Sequence, residues 1–269
     1  MRYIRLLIWR ERMPVNTPEA FGGIDRLYGG QAYQKLSRRI VYVAGIGGVG
    51  SWVVEGLARS GIGEIRMADL DDLCTTNINR QIHALISTVG QSKVEAMAAR
   101  CLEINPSIVI RCDQAFVTGK TVEDLIEGDL DLVIDCGDNQ MAKAALISHC
   151  RRLKIPVMTL GAAGGRIDPS RVKIRDLAKT DGDALLAAVR QTLRNRHGFS
   201  RTPGKRFSVN AVYSDEQTRY LQANGSVGQQ KPSGGANRLD CAGSLGAATH
   251  VTAVFAFHAT AKAIEILLS

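Results

Sequence analysis

The feature that most constrains the fold is a glycine loop set between a strand signal and a helix signal. Ile40 to Ala44 (IVYVA) is a short β-rich run, and Gly45-Ile46-Gly47-Gly48-Val49-Gly50 follows it. Ser51 to Ser60 then carries Val53, Val54, Leu57 and Ala58 at helical spacing, closed by Gly61. A strand that turns through glycines directly into a helix aims backbone N–H groups beyond the turn, which suits a phosphate. A close-packed turn without a ligand would explain glycines alone. It does not explain the acid that comes next. Glu64 to Ala68 reads as a second strand ending at Asp69, about where a carboxylate holds ribose hydroxyls.

From Arg39 onward strand and helix signals alternate. Ser92 to Ile104 is an amphipathic helix stopped before Pro106, and Met141 to Leu153 is another. Ile108 to Arg111, Leu130 to Ile134 and Pro156 to Leu160 read as further strands. The alternation predicts an α/β fold, a Rossmann-like and mostly parallel sheet flanked by helices. After Gly161 the character changes. Short β-like runs (Val172 to Ile174, Phe207 to Val212) surround one helix, Asp183 to Arg194. Gln222 to Gly243 reads as loop, and an apolar helix from Ala247 to Leu268 packs on the sheet. This organisation predicts an N-terminal extension, 1–20, and one domain, 21–269. Within it a nucleotide-binding half, about 39–160, shares a core with a C-terminal substrate-shaping extension, about 161–269.

Composition narrows the functional classes. No apolar run is read as approaching the roughly 18 residues that span a bilayer, so no membrane span is expected. Met1 to Ile8 is short and leads into Arg10, Glu11 and Arg12; residues 1–12 read as a frayed or mis-started N-terminus, with Met13 an alternative start. The cysteines form no Cys-x-x-Cys pair, which argues against structural zinc, and several lie in apolar stretches that suit free, buried thiols; the reading is a reducing, cytoplasmic compartment. The net charge of +8 is uneven: Arg166, Arg171, Lys173, Arg175, Lys179, Arg190, Arg194, Arg196, Arg201, Lys205 and Arg206 crowd one segment. Such a run is a solvated face or a polyanion site.

The glycines and Asp69 alone would also fit a dehydrogenase. The segment after Asp69 decides between nucleotides. Asp69-Leu70-Asp71 leads to Asn77-Ile78-Asn79-Arg80-Gln81 and then to Lys93 at the start of the next helix. A dehydrogenase has no need of that cluster, whereas a triphosphate does: Arg80 offers a fork for phosphate oxygens and Lys93 a movable point charge. Asp135-Cys136-Gly137-Asp138-Asn139 closes a later strand, where a carboxylate suits Mg2+ beside phosphates and where Asp138 could equally cap a helix. His83 reads as packed or hydrogen-bonded, and His250 and His258 as satisfied groups of the last helix.

Taken together these motifs resemble the ubiquitin-activating superfamily, with its HesA-MoeB-ThiF adenylyltransferases. Within it the chain from about Phe21 is similar to the tRNA threonylcarbamoyladenosine dehydratase family. That closer likeness rests on Phe21-Gly22-Gly23-Ile24-Asp25-Arg26-Leu27-Tyr28-Gly29, Asn79 to Leu85, Gly161 to Pro169 and Arg238-Leu239-Asp240-Cys241-Ala242-Gly243. The resemblance implies ATP on Gly45, Gly47, Gly48 and Gly50, with ribose on Asp69 and Asp71 beside it. It implies phosphates gripped by Asn77, Arg80, Gln81 and Lys93, and Mg2+ on Asp138. It also implies a homodimer in which Arg26 completes the partner's site. Arg26, Arg80, Lys93 and Asp138 are the catalytic candidates. The implied activity adenylates the carboxylate of threonylcarbamoyladenosine beside the anticodon and closes the ring, releasing pyrophosphate and AMP. With tRNA as substrate, Arg190, Arg194, Arg196, Arg201, Lys205 and Arg206 become phosphate contacts. A sulfur-transfer protein is a further partner the resemblance admits. Cys241 reads as a small buried residue rather than a nucleophile.

Three rivals stand beside this reading. One activates the C-terminal glycine of a ubiquitin-like sulfur carrier, though enzymes of that kind commonly carry Cys-x-x-Cys zinc ligands. Another is a nicotinamide dehydrogenase, which leaves Arg80, Lys93 and Asp138 idle. A third is a scaffold that binds tRNA and ATP without catalysis.

Overall fold

The computed structural model describes residues 5–8, 17–231 and 245–269. In chain order the elements are β1 (Arg5–Ile8), α1 (Thr17–Tyr28), α2 (Ala32–Leu36), β2 (Ile40–Ala44), α3 (Gly50–Arg59) and β3 (Glu64–Ala68). There follow α4 (Lys93–Ile104), β4 (Val109–Asp113), α5 (Val122–Leu125), β5 (Leu132–Asp135), α6 (Gln140–Leu153) and β6 (Val157–Leu160). The second half adds β7 (Val172–Asp176), α7 (Ala184–Arg196), β8 (Asn210–Ser214), β9 (Tyr220–Leu221), β10 (Val227–Gly228) and α8 (Thr249–Leu268).

Eight strands form one sheet in the order β1-β4-β3-β2-β5-β6-β8-β7. The six inner strands are mutually parallel, while β1 and β7 add antiparallel edges. Strand order reverses direction at β2: the chain steps outward to β3 and β4, then returns to β5 on the other side. The crevice beyond the carboxyl ends of β2 and β5 is therefore a topological switch point, where open α/β sheets bind ligands.

Alternation along each strand divides the core. Val41 and Val43 point with Ile65, Met67, Ile134, Met158 and Leu160 toward α3, α4 and α8. Tyr42 and Ala44 point the other way with Val133, Ala211 and Tyr213, toward α5, α6 and α7. Helix α8 buries Val251, Phe255, Ala259, Ala263 and Leu267, a stripe at four-residue spacing. It is also long and apolar enough to cross a membrane by length and composition, with 56% of the relevant window buried in the fold. That corrects the expectation that no run reaches such a length.

Element boundaries match the sequence reading where periodicity was strong: β2 and β3 fall on the expected residues, and α4, α6 and α8 begin within two. The N-terminal part departs from it. Arg5–Ile8, expected to be frayed, pairs with β4 in register Arg5↔Asp113 to Ile8↔Ile110. Helices α1 and α2 were not anticipated, since Gly22 and Gly23 depress helix propensity in α1 and α2 is five residues long. Phe21 stacks on Tyr33 at 5.2 Å, and the Tyr33 N–H donates to Asp25. Tertiary packing supplies what propensity withholds. In the expected loop from Gln222, Val227–Gly228 pairs with Tyr220–Leu221; residues 232–244, including Cys241, lie outside the described residues.

Candidate active site

The glycines of the loop after β2 have different jobs. Gly45 has φ +86°, and a Cβ there would lie 3.2 Å from the Gly137 nitrogen, so the loop can pass the end of β5 only without a side chain. A Cβ on Gly50 would sit 1.8 Å from the Gly45 carbonyl oxygen. These two glycines are demanded by the fold. Gly47 has open space where its Cβ would be, and Gly48 lies against the Arg80 side chain, 3.2 Å from Cγ and Cδ. The open, ligand-accepting stretch is thus the middle of the loop, walled on one side by Arg80.

Asp69 is buried at the end of β3 and spans the loop from beneath. One carboxylate oxygen accepts the Ile46 N–H at 2.7 Å and the other the Asp71 N–H at 3.0 Å. Burial raises its pKa, against the opposing influence of the Lys93 ammonium 3.9 Å away. Lys93 opens α4 and is itself buried, with Nζ 2.6 Å from Asp71, whose carboxyl side is 53% exposed. Lys93 is therefore a pinned cation rather than the movable one expected from the sequence. Helix α4 brings it there because the Lys93 N–H donates to the Asp71 carbonyl.

The segment from Cys74 to His83 crosses above the loop. Asn77 is buried and its Oδ1 accepts the Cys74 N–H, so half of its amide shapes the turn. Arg80 is half-buried and donates to the Thr76 carbonyl at 2.8 Å and to Asn79 Oδ1 at 3.0 Å. The start of α8 holds this segment: Thr249 donates to the Asn79 carbonyl, and the Asn79 amide to the Ala247 carbonyl. The Trp52 indole N–H donates to the Arg80 carbonyl at 3.0 Å. The Thr252 hydroxyl lies 3.5 Å from the same carbonyl; Trp52, Thr249 and Thr252 thus position Arg80, and nothing in their local sequence marked them. Gln81 is buried with Oε1 lacking a hydrogen-bond partner. His83 is buried with neither ring nitrogen hydrogen-bonded; burial, then the Lys93 and Arg100 charges, push its pKa down to about 3. It is a packed imidazole held neutral. His250 and His258 each meet a backbone carbonyl, of Ile167 and Val254.

Across the crevice, Asp135 ends β5 and is fully engaged. It accepts the Thr159 hydroxyl at 2.7 Å, the Lys143 ammonium at 3.1 Å and the Gly137 N–H at 3.2 Å. Asp138 is exposed, and the cap of α6 is Asn139, whose Oδ1 accepts the Met141 and Ala142 N–H groups. The capping alternative for Asp138 is gone. Among the described residues no group of three or more His, Cys, Asp or Glu side chains could hold a metal ion. A single exposed carboxylate fits Mg2+ only where phosphate oxygens supply most of the coordination. Arg26 is exposed on α1, with its guanidinium lying back along its own helix toward Gly22, and α1 packs chiefly on α2. The structure brings Gly48, Asp69, Asp71, Asn77, Arg80 and Lys93 into one neighbourhood and leaves Arg26 outside it.

Residues 24–268 match the ThiF family model. The chain belongs to the ThiF family. Relatives of this ThiF-family chain include tRNA threonylcarbamoyladenosine dehydratases. That of Haemophilus influenzae is 43% identical over 253 residues, covering 94% of this chain and 95% of the relative. That of Escherichia coli is 44% identical over 262 residues, covering 97% and 95%. A solved structure of the E. coli enzyme in complex with ATP superimposes with TM-score 0.82 at 40% identity, covering 95% of this chain and 97% of that one.

Proposed function

We propose that this ThiF-family enzyme is an ATP-dependent tRNA dehydratase acting on threonylcarbamoyladenosine next to the anticodon. The observation that carries the reading is the placement of Arg80 against Gly48 at the β2–β5 switch point, across from the exposed Asp138. The ATP complex of the E. coli relative supports a nucleotide there. Backbone N–H groups of the Gly47–Gly48 stretch and the N-terminus of α3 would receive the phosphates. Arg80 would grip their oxygens, with Asn77 and Gln81 beside it. Lys93, pinned between Asp69 and Asp71, would present fixed positive charge while those carboxylates hold the ribose. Mg2+, with Asp138 as its protein carboxylate, would offset charge on the phosphates when bound.

In the first step a carboxylate oxygen of the substrate attacks the α-phosphorus. The new O–P bond forms as the bond to pyrophosphate breaks. Both reactants are anions, so fixed cations lower the barrier most where charge moves to the leaving group. In the second step the activated carbonyl carbon is attacked from within the same side chain, the ring closes and AMP leaves. Holding the acyl-adenylate in a near-attack geometry is the main contribution the protein makes there. A homodimer would bring the partner's Arg26 to the nucleotide, and Leu27 and Tyr28, 73% and 43% exposed beside Arg26, suit burial against another chain. A sulfur-transfer protein and a cytoplasmic setting belong to the same proposal.

The test incubates the protein with Mg-ATP and tRNA carrying linear threonylcarbamoyladenosine, followed by mass spectrometry of the nucleosides. The expected product is lighter by one water, with one AMP and one pyrophosphate released per conversion. Adenylation of a ubiquitin-like carrier's C-terminal glycine, with the tRNA untouched, would overturn the reading in favour of the runner-up.

A further inference from the structure

The basic surplus separates in the fold in a way its order along the chain does not show. Arg171 donates to Asp215 at 2.8 Å and Lys173 pairs with the same carboxylate, which the two hold down at about 2. Arg166 is buried, and Arg190 donates to the Thr180 hydroxyl. Arg171 and Lys173 are thus paired within the chain, and Arg166 and Arg190 are turned inward. Lys205 and Arg206 instead lie with residues of a different segment, Arg151 and Lys154, at the end of α6.

There a cleft of ≈ 670 Å³ opens between the C-terminal end of α6, the start of β6 and the loop 198–209, lined by Arg151, Lys154, Lys205 and Arg206. Its walls are built. The Arg151 guanidinium lies 4.4 Å over the Phe199 ring, and that of Arg194 5.4 Å from the Phe207 ring. The two rings meet edge to face at 5.0 Å. This ladder holds two long side chains in place, which reduces the entropy lost on binding an anion. Residues 139–167 and 184–214 contain no Asp or Glu. The carboxylate nearest Arg206 belongs to Asp176, 3.8 Å away and occupied by the Phe207 and Ser208 N–H groups.

A simpler account is that cations in the last turns of α6 and α7 complement the helix dipoles. That covers Arg151, Arg152, Arg194 and Arg196. It does not cover Lys154, beyond the helix with φ 60°, nor Lys205 and Arg206 on the loop. We propose that this cleft binds the sugar–phosphate backbone of the RNA substrate at a point away from the reacting nucleotide. The proposal rests on the tRNA reading above. Helix α6 sets the spacing: its first turn follows Asp138 at the crevice, and its 14 residues place the cleft about 20 Å away at 1.5 Å per residue. An RNA arm whose modified base enters the crevice can reach that far with its backbone, which is what exposed lysines and arginines recognise.

The test compares wild type with Lys154→Glu/Lys205→Glu and with Lys154→Arg/Lys205→Arg, using tRNA that carries linear threonylcarbamoyladenosine. Fluorescence anisotropy gives Kd as a function of salt, steady-state conversion gives KM and kcat, and thermal melting confirms folding. In the Glu variant, Kd and KM for tRNA are expected to rise at least 10-fold with kcat and ATP affinity unchanged. The salt slope should become shallower by about 1–2, and the Arg variant should behave as wild type. Equal tRNA affinity and slope in the folded Glu variant, with wild type converting tRNA, overturns the cleft alone. Wild type that binds ATP but no tRNA overturns both this inference and the substrate reading.

Discussion

Gly47 and Gly50 look alike in the sequence and differ in the fold. Gly50→Ala drives a Cβ into the Gly45 carbonyl oxygen, a contact of 1.8 Å. It is expected to cost about 3 kcal/mol or more, since overpacking here strains backbone rather than a side chain. Gly47→Ala meets open space and is expected to melt as wild type while binding ATP more weakly. Thermal melts and ATP titrations of the two variants decide; equal melting would remove the distinction. His83 makes a pH prediction. Its pKa is near 3 in the folded protein and about 6.5 when unfolded, so between these values the unfolded chain binds more protons. Stability should therefore fall as pH drops from 6.5 toward 3, by at most ~1.4 kcal/mol per pH unit from this residue. Urea unfolding from pH 6.5 to 4.5 should show a slope shallower by about one proton in His83→Phe. An unchanged slope would place the titration elsewhere.

At the scale of elements, the crevice depends on how α6 is fastened to β5. Lys143 is buried within α6 and reaches the Asp135 carboxylate and carbonyl at the end of β5, together with the Thr159 hydroxyl on β6. This ties three elements together directly beneath Cys136 to Asp138. Lys143→Met leaves a buried carboxylate without its counter-ion and is expected to cost about 3–5 kcal/mol. Lys143→Met/Asp135→Asn, which neutralises the orphan and keeps an acceptor for the Gly137 N–H, should be more stable than the single variant by about 1–2 kcal/mol. Urea unfolding of these two variants and of Asp135→Asn alone reads the coupling, and strict additivity would sink the account.

At the scale of the molecule, Arg26 lies back along its own helix, outside the neighbourhood of its own chain's site, so the role proposed for it in a partner's site would require assembly. Arg26→Ala and Arg80→Ala should each be inactive alone. Mixed and allowed to exchange, they should recover about one quarter of wild-type activity, because half the dimers are mixed and one site in each has both arginines. No recovery after demonstrated exchange would show that Arg26 does not act across subunits. The chain's basic character also acts at this scale, through a cleft assembled from α6, β6 and a loop some 50 residues further on.

Much of this architecture was written in local pattern. The glycine loop, Asp69, the strand-helix alternation and the Asn77 to Lys93 segment specify a parallel α/β sheet with a nucleotide crevice at the carboxyl ends of its central strands. They do so because strand alternation, helical spacing and tight turns are short-range properties of the backbone. Which glycines are sterically required, why Lys93 is held rigid and why His83 stays neutral depend on atoms distant in sequence. So does the division of the arginines and lysines between ion pairs within the chain and an open cleft. Packing decided these, since desolvation and close approach are set by neighbours that only the folded chain brings together.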